Sequence, residues 1–164
     1  MPFAEGISKS NAWPVGGCDK AKKLYKAYLS LTDNERSKLK IPLERLNLAM
    51  RKWSLVDAAI DLGVCLESIF LTDLENDYGE LTFRLKPRAS RFLDKDLDSR
   101  KKLFKIFGNL YNLRSRAIHS GKLPAKIDNE PVTEILSQGF ILTAKAITQI
   151  IFNGLPDWNV ISLT

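Results

Sequence analysis

Residues 114–121 read RSRAIHSG and hold His119, the single histidine of the 164-residue chain. Two arginines, Arg114 and Arg116, precede it. An imidazole with its ordinary pKa of about 6.5 takes or gives a proton near neutral pH. A guanidinium grips a phosphate through parallel N–H donors and stabilises charge that develops on it. Together these groups suit acid–base chemistry at a phosphodiester. Spacing alone does not choose the arginine. On an ideal helix Arg116, three residues before His119, shares its face. Arg114, five residues before, diverges by about 140°. Arg114 and His119 converge only if the helix ends or bends before His119, or if two chains share the site. A plain structural role competes, because the helix dipole favours a histidine at a helix C-terminus.

A carboxylate and a guanidinium interrupt apolar stripes elsewhere. Glu67 lies seven residues after Ile60 and three before Phe70, on a core-facing register. Arg114 follows Leu103, Phe107 and Leu110 at helical spacing and precedes Ala117. An unpaired charge in such a position costs several kcal/mol, on the order of the penalties for buried ions. If the two helices are neighbours, Glu67 and Arg114 satisfy each other.

The elements that must carry these residues are helices. DKAKKLYKAYLSL, from Asp19, sets Leu24, Tyr25, Tyr28 and Leu29 on one side. Thr32 and Glu35 have capping-box spacing and open a short helix over 33–40. Pro42 suits the first turn of the next and longest helix, about 42–71. Its stripe runs Leu43, Leu46, Met50, Trp53, Val56, Ile60 and Gly63. TDLENDYG makes a turn. ELTFRLKPRASRFL is helical, with Pro87 predicted to kink it into halves. Asp98 or Ser99 is expected to cap the helix from 99 to about 118, which Gly121 and Pro124 end. A last helix is expected from Glu130 or Pro131 to about Phe152, with Gly154 as its stop. The tail LPDWNVISLT is expected to be extended and packed by Trp158. The prediction is an all-α fold, a bundle of five or six helices in residues 19–164. Residues 1–18, rich in Gly, Pro, Ser and Asn, are expected to form a flexible arm or linker.

Composition narrows the function classes. Hydrophobic residues make up 45%, which excludes a disordered tail. The net charge of +6 and pI near 9.3 suit a polyanion or an acidic protein surface. The basic residues are spread over Lys20–Lys26, Arg84–Arg91 and Arg100–Lys105, and most read as solvated faces. Cys18 and Cys65 form no C-x-x-C pair, which with one histidine argues against structural zinc. Cys65, in an apolar stretch, reads as a buried reduced thiol, which suits a reducing cytoplasm. No signal peptide is recognised, and no apolar segment reaches the roughly 20 residues of a membrane span. No P-loop, dinucleotide-binding glycine pattern or Ser-His-Asp set is present, so no cofactor or metal is expected.

LYNLRSRAIHSGK resembles the signature of HEPN domains: an Arg, a polar residue directly after it, and a His. Arg114, Ser115 and His119 fit the form with four intervening residues. The blocks LVDAAIDLGVCLESIFL, ELTFRLKPRASRFL, LYNLRSRAIHSG and GLPDW occur in the order of the Apea-like branch. Together they cover about residues 55–158. The resemblance implies a helical bundle and, in many members, a metal-independent endoribonuclease acting as a dimer with both motifs on a shared cleft. Carried over, Arg114 and His119 are the catalytic pair. Ser115 helps to position them, Arg116 assists at the phosphate, and Glu67 supports. The expected partners are RNA, a second copy of the chain, and a sensor domain or antitoxin. The expected setting is anti-phage defence or toxicity. Where some HEPN toxins carry a modifiable Tyr two residues after the His, this chain has Gly121. A non-catalytic HEPN module that binds RNA or a protein is the alternative.

Overall fold

The computed structural model describes residues 17–73 and 81–163. Most of the arm expected over 1–18, and most of the turn expected at TDLENDYG, lie outside these residues. Among the described residues there are seven helices and one very short hairpin. The expected all-α bundle is therefore found, with one helix more than foreseen.

Helix α1 (Gly17–Ser30) begins two residues earlier than expected, so Gly17 and Cys18 are helical. It lies on the bundle surface. Leu24, Ala27 and Tyr28 pack on the core, while Tyr25 and Leu29 face outward. Helix α2 (Asp33–Arg51) opens with the foreseen capping box. The Thr32 hydroxyl accepts from the Glu35 N–H, and the Glu35 carboxylate accepts from the Thr32 N–H at 2.9 Å.

The predicted break before Pro42 and the predicted single helix over 42–71 are both incorrect. Helix α2 runs through Pro42, and the chain breaks instead at 52–54 before α3 (Leu55–Phe70). Pro42 forfeits one backbone hydrogen bond but is buried against α3, where its carbonyl accepts from Cys65 Sγ at 3.1 Å. Lys52 is extended, and the Ser54 hydroxyl caps α3 by accepting from the Asp57 N–H. The break resets the helical phase. Met50 and Trp53, assigned to the core from periodicity, are 61% and 79% exposed.

Helix α4 (Leu81–Leu93) passes Pro87 as one helix rather than two halves. Helix α5 (Leu97–Ser120) is capped by Asp96, not by Asp98 or Ser99, through the Ser99 N–H at 2.9 Å. It stops at Gly121, which adopts φ +63°. Strands β1 (Lys126–Ile127) and β2 (Glu130–Pro131) pair antiparallel around Asp128 and Asn129. Both turn residues have positive φ, as a type I′ hairpin turn requires. Helix α6 (Val132–Asn153) ends at Gly154 as expected. The tail forms helix α7 (Trp158–Leu163) instead of an extended segment, with Trp158 buried.

Helices α3, α5 and α6 meet at the centre, α2 lies along α3, and α4 lies along α5. Helix α6 crosses its neighbours at Gly139, where a Cβ would fall 2.6 Å from a Leu110 methyl and 2.8 Å from a Leu62 methyl. Phe70, Phe92 and Trp158 form an edge-to-face aromatic cluster, with Phe107 against Phe70 at 5.9 Å. Helix α6 is also long and apolar enough to cross a membrane by length and composition. This corrects the expectation that no segment is, since Glu134 and Lys145 are its only charges. Its Val132, Ile135, Leu136, Ala146 and Ile150 are buried in the bundle.

Candidate functional site

Helices α3 and α5 position the site, and they touch where each carries an exception to its apolar stripe. Gly63 on α3 removes the side chain that would block α5. A Cβ there would fall 2.2 Å from Arg114 Cγ and 2.8 Å from Arg114 Cβ. The Arg114 stem therefore fills the space above Gly63. One turn further along α3, Glu67 meets the head of that side chain.

Arg114 Nη2 donates to Glu67 Oε2 at 3.0 Å, with side chains 23% and 20% exposed. The two stripe interruptions thus satisfy each other, as the sequence suggested. Burial pushes the Glu67 carboxyl up, and the Arg114 charge and hydrogen bond pull it back only in part. The pairing is one-pronged. Glu67 Oε1 and Arg114 Nε are buried without a partner. The Arg114 guanidinium also lies over the Tyr111 ring, 5.8 Å from its centroid.

His119 is exposed in the last turn of α5. Helix α5 is unbroken through Ser120, so it does not end before His119. Regular helix geometry then keeps Arg114 and His119 about 140° apart within one chain. Ser115 is half-buried between them. Arg116 is exposed, and its Nε donates to Asn112 Oδ1 at 3.0 Å. Its carbonyl accepts from the Ser120 hydroxyl, which ties down the last turn beneath His119. Arg114 and Glu67 therefore form a braced inner pair, with Ser115 half-buried next in the chain, while Arg116 and His119 are exposed. Among the described residues, no three His, Cys, Asp or Glu side chains gather as a metal cluster.

Two buried charges, Asp61 and Arg88, carry no local sequence signal. Asp61, one position off the assumed stripe of α3, is 6% exposed. It takes Arg45 Nη1 at 2.9 Å and Lys52 Nζ at 3.8 Å. Arg88, read as part of a solvated face, is buried. It forks onto both carboxylate oxygens of Asp73, at 2.6 and 2.9 Å, and also donates to Phe70 O and Ser162 Oγ. No local motif marks either residue, because their partners are nine or more positions away. Both link helices rather than line the site.

Compared with protein-family models, curated proteins and solved structures, the chain finds no match.

Proposed function

We propose that this chain is a HEPN-type endoribonuclease that acts as a homodimer in the cytoplasm, as a toxin or in anti-phage defence. The observation that carries this reading is the placement of a braced Arg114 and an exposed His119 on one unbroken helix. Of the three ways to unite them, an early helix end is absent and regular geometry opposes convergence within a chain. The reading therefore unites them in a cleft shared by two chains, with Arg114 from one facing His119 from the other. Ile118, 47% exposed beside His119, supplies apolar surface for such a pairing.

In that cleft His119 takes the proton of an RNA 2′-hydroxyl. The 2′-oxygen bonds to phosphorus, the bond to the 5′-oxygen breaks, and the 5′-oxygen takes a proton from water. The products carry a 2′,3′-cyclic phosphate and a 5′-hydroxyl. Arg114 binds the phosphate through Nη1, which makes no hydrogen bond among the described residues, while Glu67 holds Nη2. Arg116 adds positive charge, and Ser115 positions. DNA, lacking the 2′-hydroxyl, is left intact.

The test is cleavage of labelled single-stranded RNA in EDTA by wild type, Arg114→Ala and His119→Ala. Only wild type is expected to cut. Mixing the two inactive variants is then decisive. A shared cleft regains about a quarter of wild-type activity after random exchange, because half the dimers are mixed and each holds one intact site. A site within one chain regains none. DNA cut as readily as RNA would exclude 2′-hydroxyl attack.

A second reading, a non-catalytic HEPN module binding RNA or a protein, is favoured by the commitment of Arg114 to Glu67. An RNA complex that persists without cleavage, unchanged by His119→Ala, would establish it.

A further inference from the structure

The contact of α4 with α5 leaves two adjoining open depressions of about 480 and 350 Å³. They share Pro87, Arg91 and Phe104. Arg84 and Phe83 line one, and Arg100, Lys101 and Leu97 the other. Among the described residues neither is lined by a carboxylate. The aromatic side chains are unusually open, Phe83 at 71% and Phe104 at 42% exposure. Lys86 Nζ sits 4.6 Å from the Phe104 ring centroid. Isolated exposed phenyl groups need no explanation, but two of them among five cations form a pattern with chemical meaning.

Among the described residues the charge of Arg91, Arg100 and Lys101 is only lightly neutralised. Arg91 Nη1 donates to the Ser162 carbonyl and Arg100 Nε to the Asp94 carbonyl, which fixes both heads and leaves their charge. Lys101 meets Asp98 at 3.0 Å, in a solvent-exposed pair that contributes little. Arg84 reaches Asp73 electrostatically. Asp96 is turned onto the Ser99 N–H as a helix cap.

We propose that this α4–α5 groove binds single-stranded nucleic acid, with bases stacked on Phe83 and Phe104 and phosphates on the surrounding cations. Charge complementarity selects a polyanion, and the exposed phenyl rings, one of them already carrying Lys86, select one with unpaired bases, since a duplex hides its ring faces. The choice of RNA rests on the function proposed above. The groove is also aligned with the site. Phe104 and His119 are fifteen residues apart on α5, about 22 Å along its axis and about 60° around it. A strand held at Phe104 thus runs along the face that ends at His119.

Binding of a labelled single-stranded RNA to the full chain carrying His119→Ala separates the groove from cleavage. Phe104→Ala in that background is expected to weaken RNA binding about tenfold. Phe104→Tyr, which keeps a stacking ring, restores it. Inorganic polyphosphate, which has no bases, should compete equally well with and without the Phe104 ring. Equal melting temperatures of the variants exclude a folding defect. RNA affinity indifferent to both Phe104→Ala and Phe83→Ala overturns the proposal. So does duplex RNA competing as well as single-stranded RNA, or an equal loss for polyphosphate. If RNA binds in the expected way but wild type never cuts, the groove stands and the nuclease reading falls. If wild type cuts while Phe104 is irrelevant to binding, the reverse holds.

Discussion

Gly63 and Arg114 compete for one volume: a single added Cβ on Gly63 would overlap the Arg114 stem at 2.2 Å. Glycine inside a helix costs about 1 kcal/mol relative to alanine. Here that loss lets an arginine cross a helix contact and reach Glu67 in partly dry surroundings.

This relationship predicts strong coupling between the two positions. Gly63→Ala in the wild-type chain should destabilise by about 1–3 kcal/mol, as overpacking does. In the Arg114→Ala background the Cγ overlap is gone and only the contact with the remaining Cβ at 2.8 Å persists, so the same substitution should cost less, by about 1 kcal/mol or more. Urea denaturation of the four proteins of the cycle measures the coupling. Additive effects would show that the two side chains do not share the space.

Glu67 gives a pH-dependent signature. Burial holds its carboxyl above the ordinary glutamate range, with Arg114 offsetting only part. A group whose folded pKa is raised contributes stability below its unfolded pKa and loses it as pH rises through the folded value. Relative to Glu67→Gln, the wild type should therefore lose stability as pH climbs through and above the usual glutamate range. Thermal melts across that range would show it, and parallel curves would contradict it.

Asp73 has the opposite sign. Burial works to raise its carboxyl, but the hydrogen bonds and charge of Arg88, with Arg84, bring it below the usual range. Its contribution is present above the unfolded pKa and is lost as pH falls through the folded one. Arg88→Met should cost about 3 kcal/mol at neutral pH, because it breaks a buried pair and frees Phe70 O. It should also flatten the acid limb of the stability curve. A denaturation series in pH tests both, and an unaltered acid limb would exclude the Asp73 linkage.

The two cysteines should differ in reactivity. Burial pushes the Cys65 thiol up to about 12, and Pro42 O accepts its hydrogen. Cys18 is exposed on α1. A thiol reagent at neutral pH should label one thiol per chain quickly and the second only on denaturation. Rapid labelling of both would place Cys65 at an accessible surface.

Much of the frame is legible in the residues themselves. The Thr32–Glu35 box and the Gly121 and Gly154 stops mark local events, and each is found where expected. The Glu67–Arg114 pair was also legible, because charges on apolar stripes demand partners. What failed depends on distant contacts or on apolar residues left outside. Met50 and Trp53 carried the apparent stripe across the break at 52–54, although both face solvent. Pro42 was read by local rules, yet packing against Cys65 keeps it inside a helix. Arg88 and Asp61 look like surface charges until tertiary structure brings their partners. Spacing alone did not bring Arg114 and His119 together, and the unbroken α5 keeps them on different faces of one helix.

The placement of α7 bears on how the protein is made. Trp158 closes the ring cluster with Phe70 and Phe92, and Ser162 takes Arg88 Nε. A ribosome delivers the chain from its N-terminus at roughly 5–20 residues per second. The 74 residues separating Arg88 from Ser162 therefore take on the order of ten seconds to emerge. During that interval the nascent helices hold an aromatic surface and a guanidinium still waiting for their last partners. Completion of the core thus trails the emergence of α4 by that interval, and until then the unfinished bundle is exposed to aggregation and to chaperones.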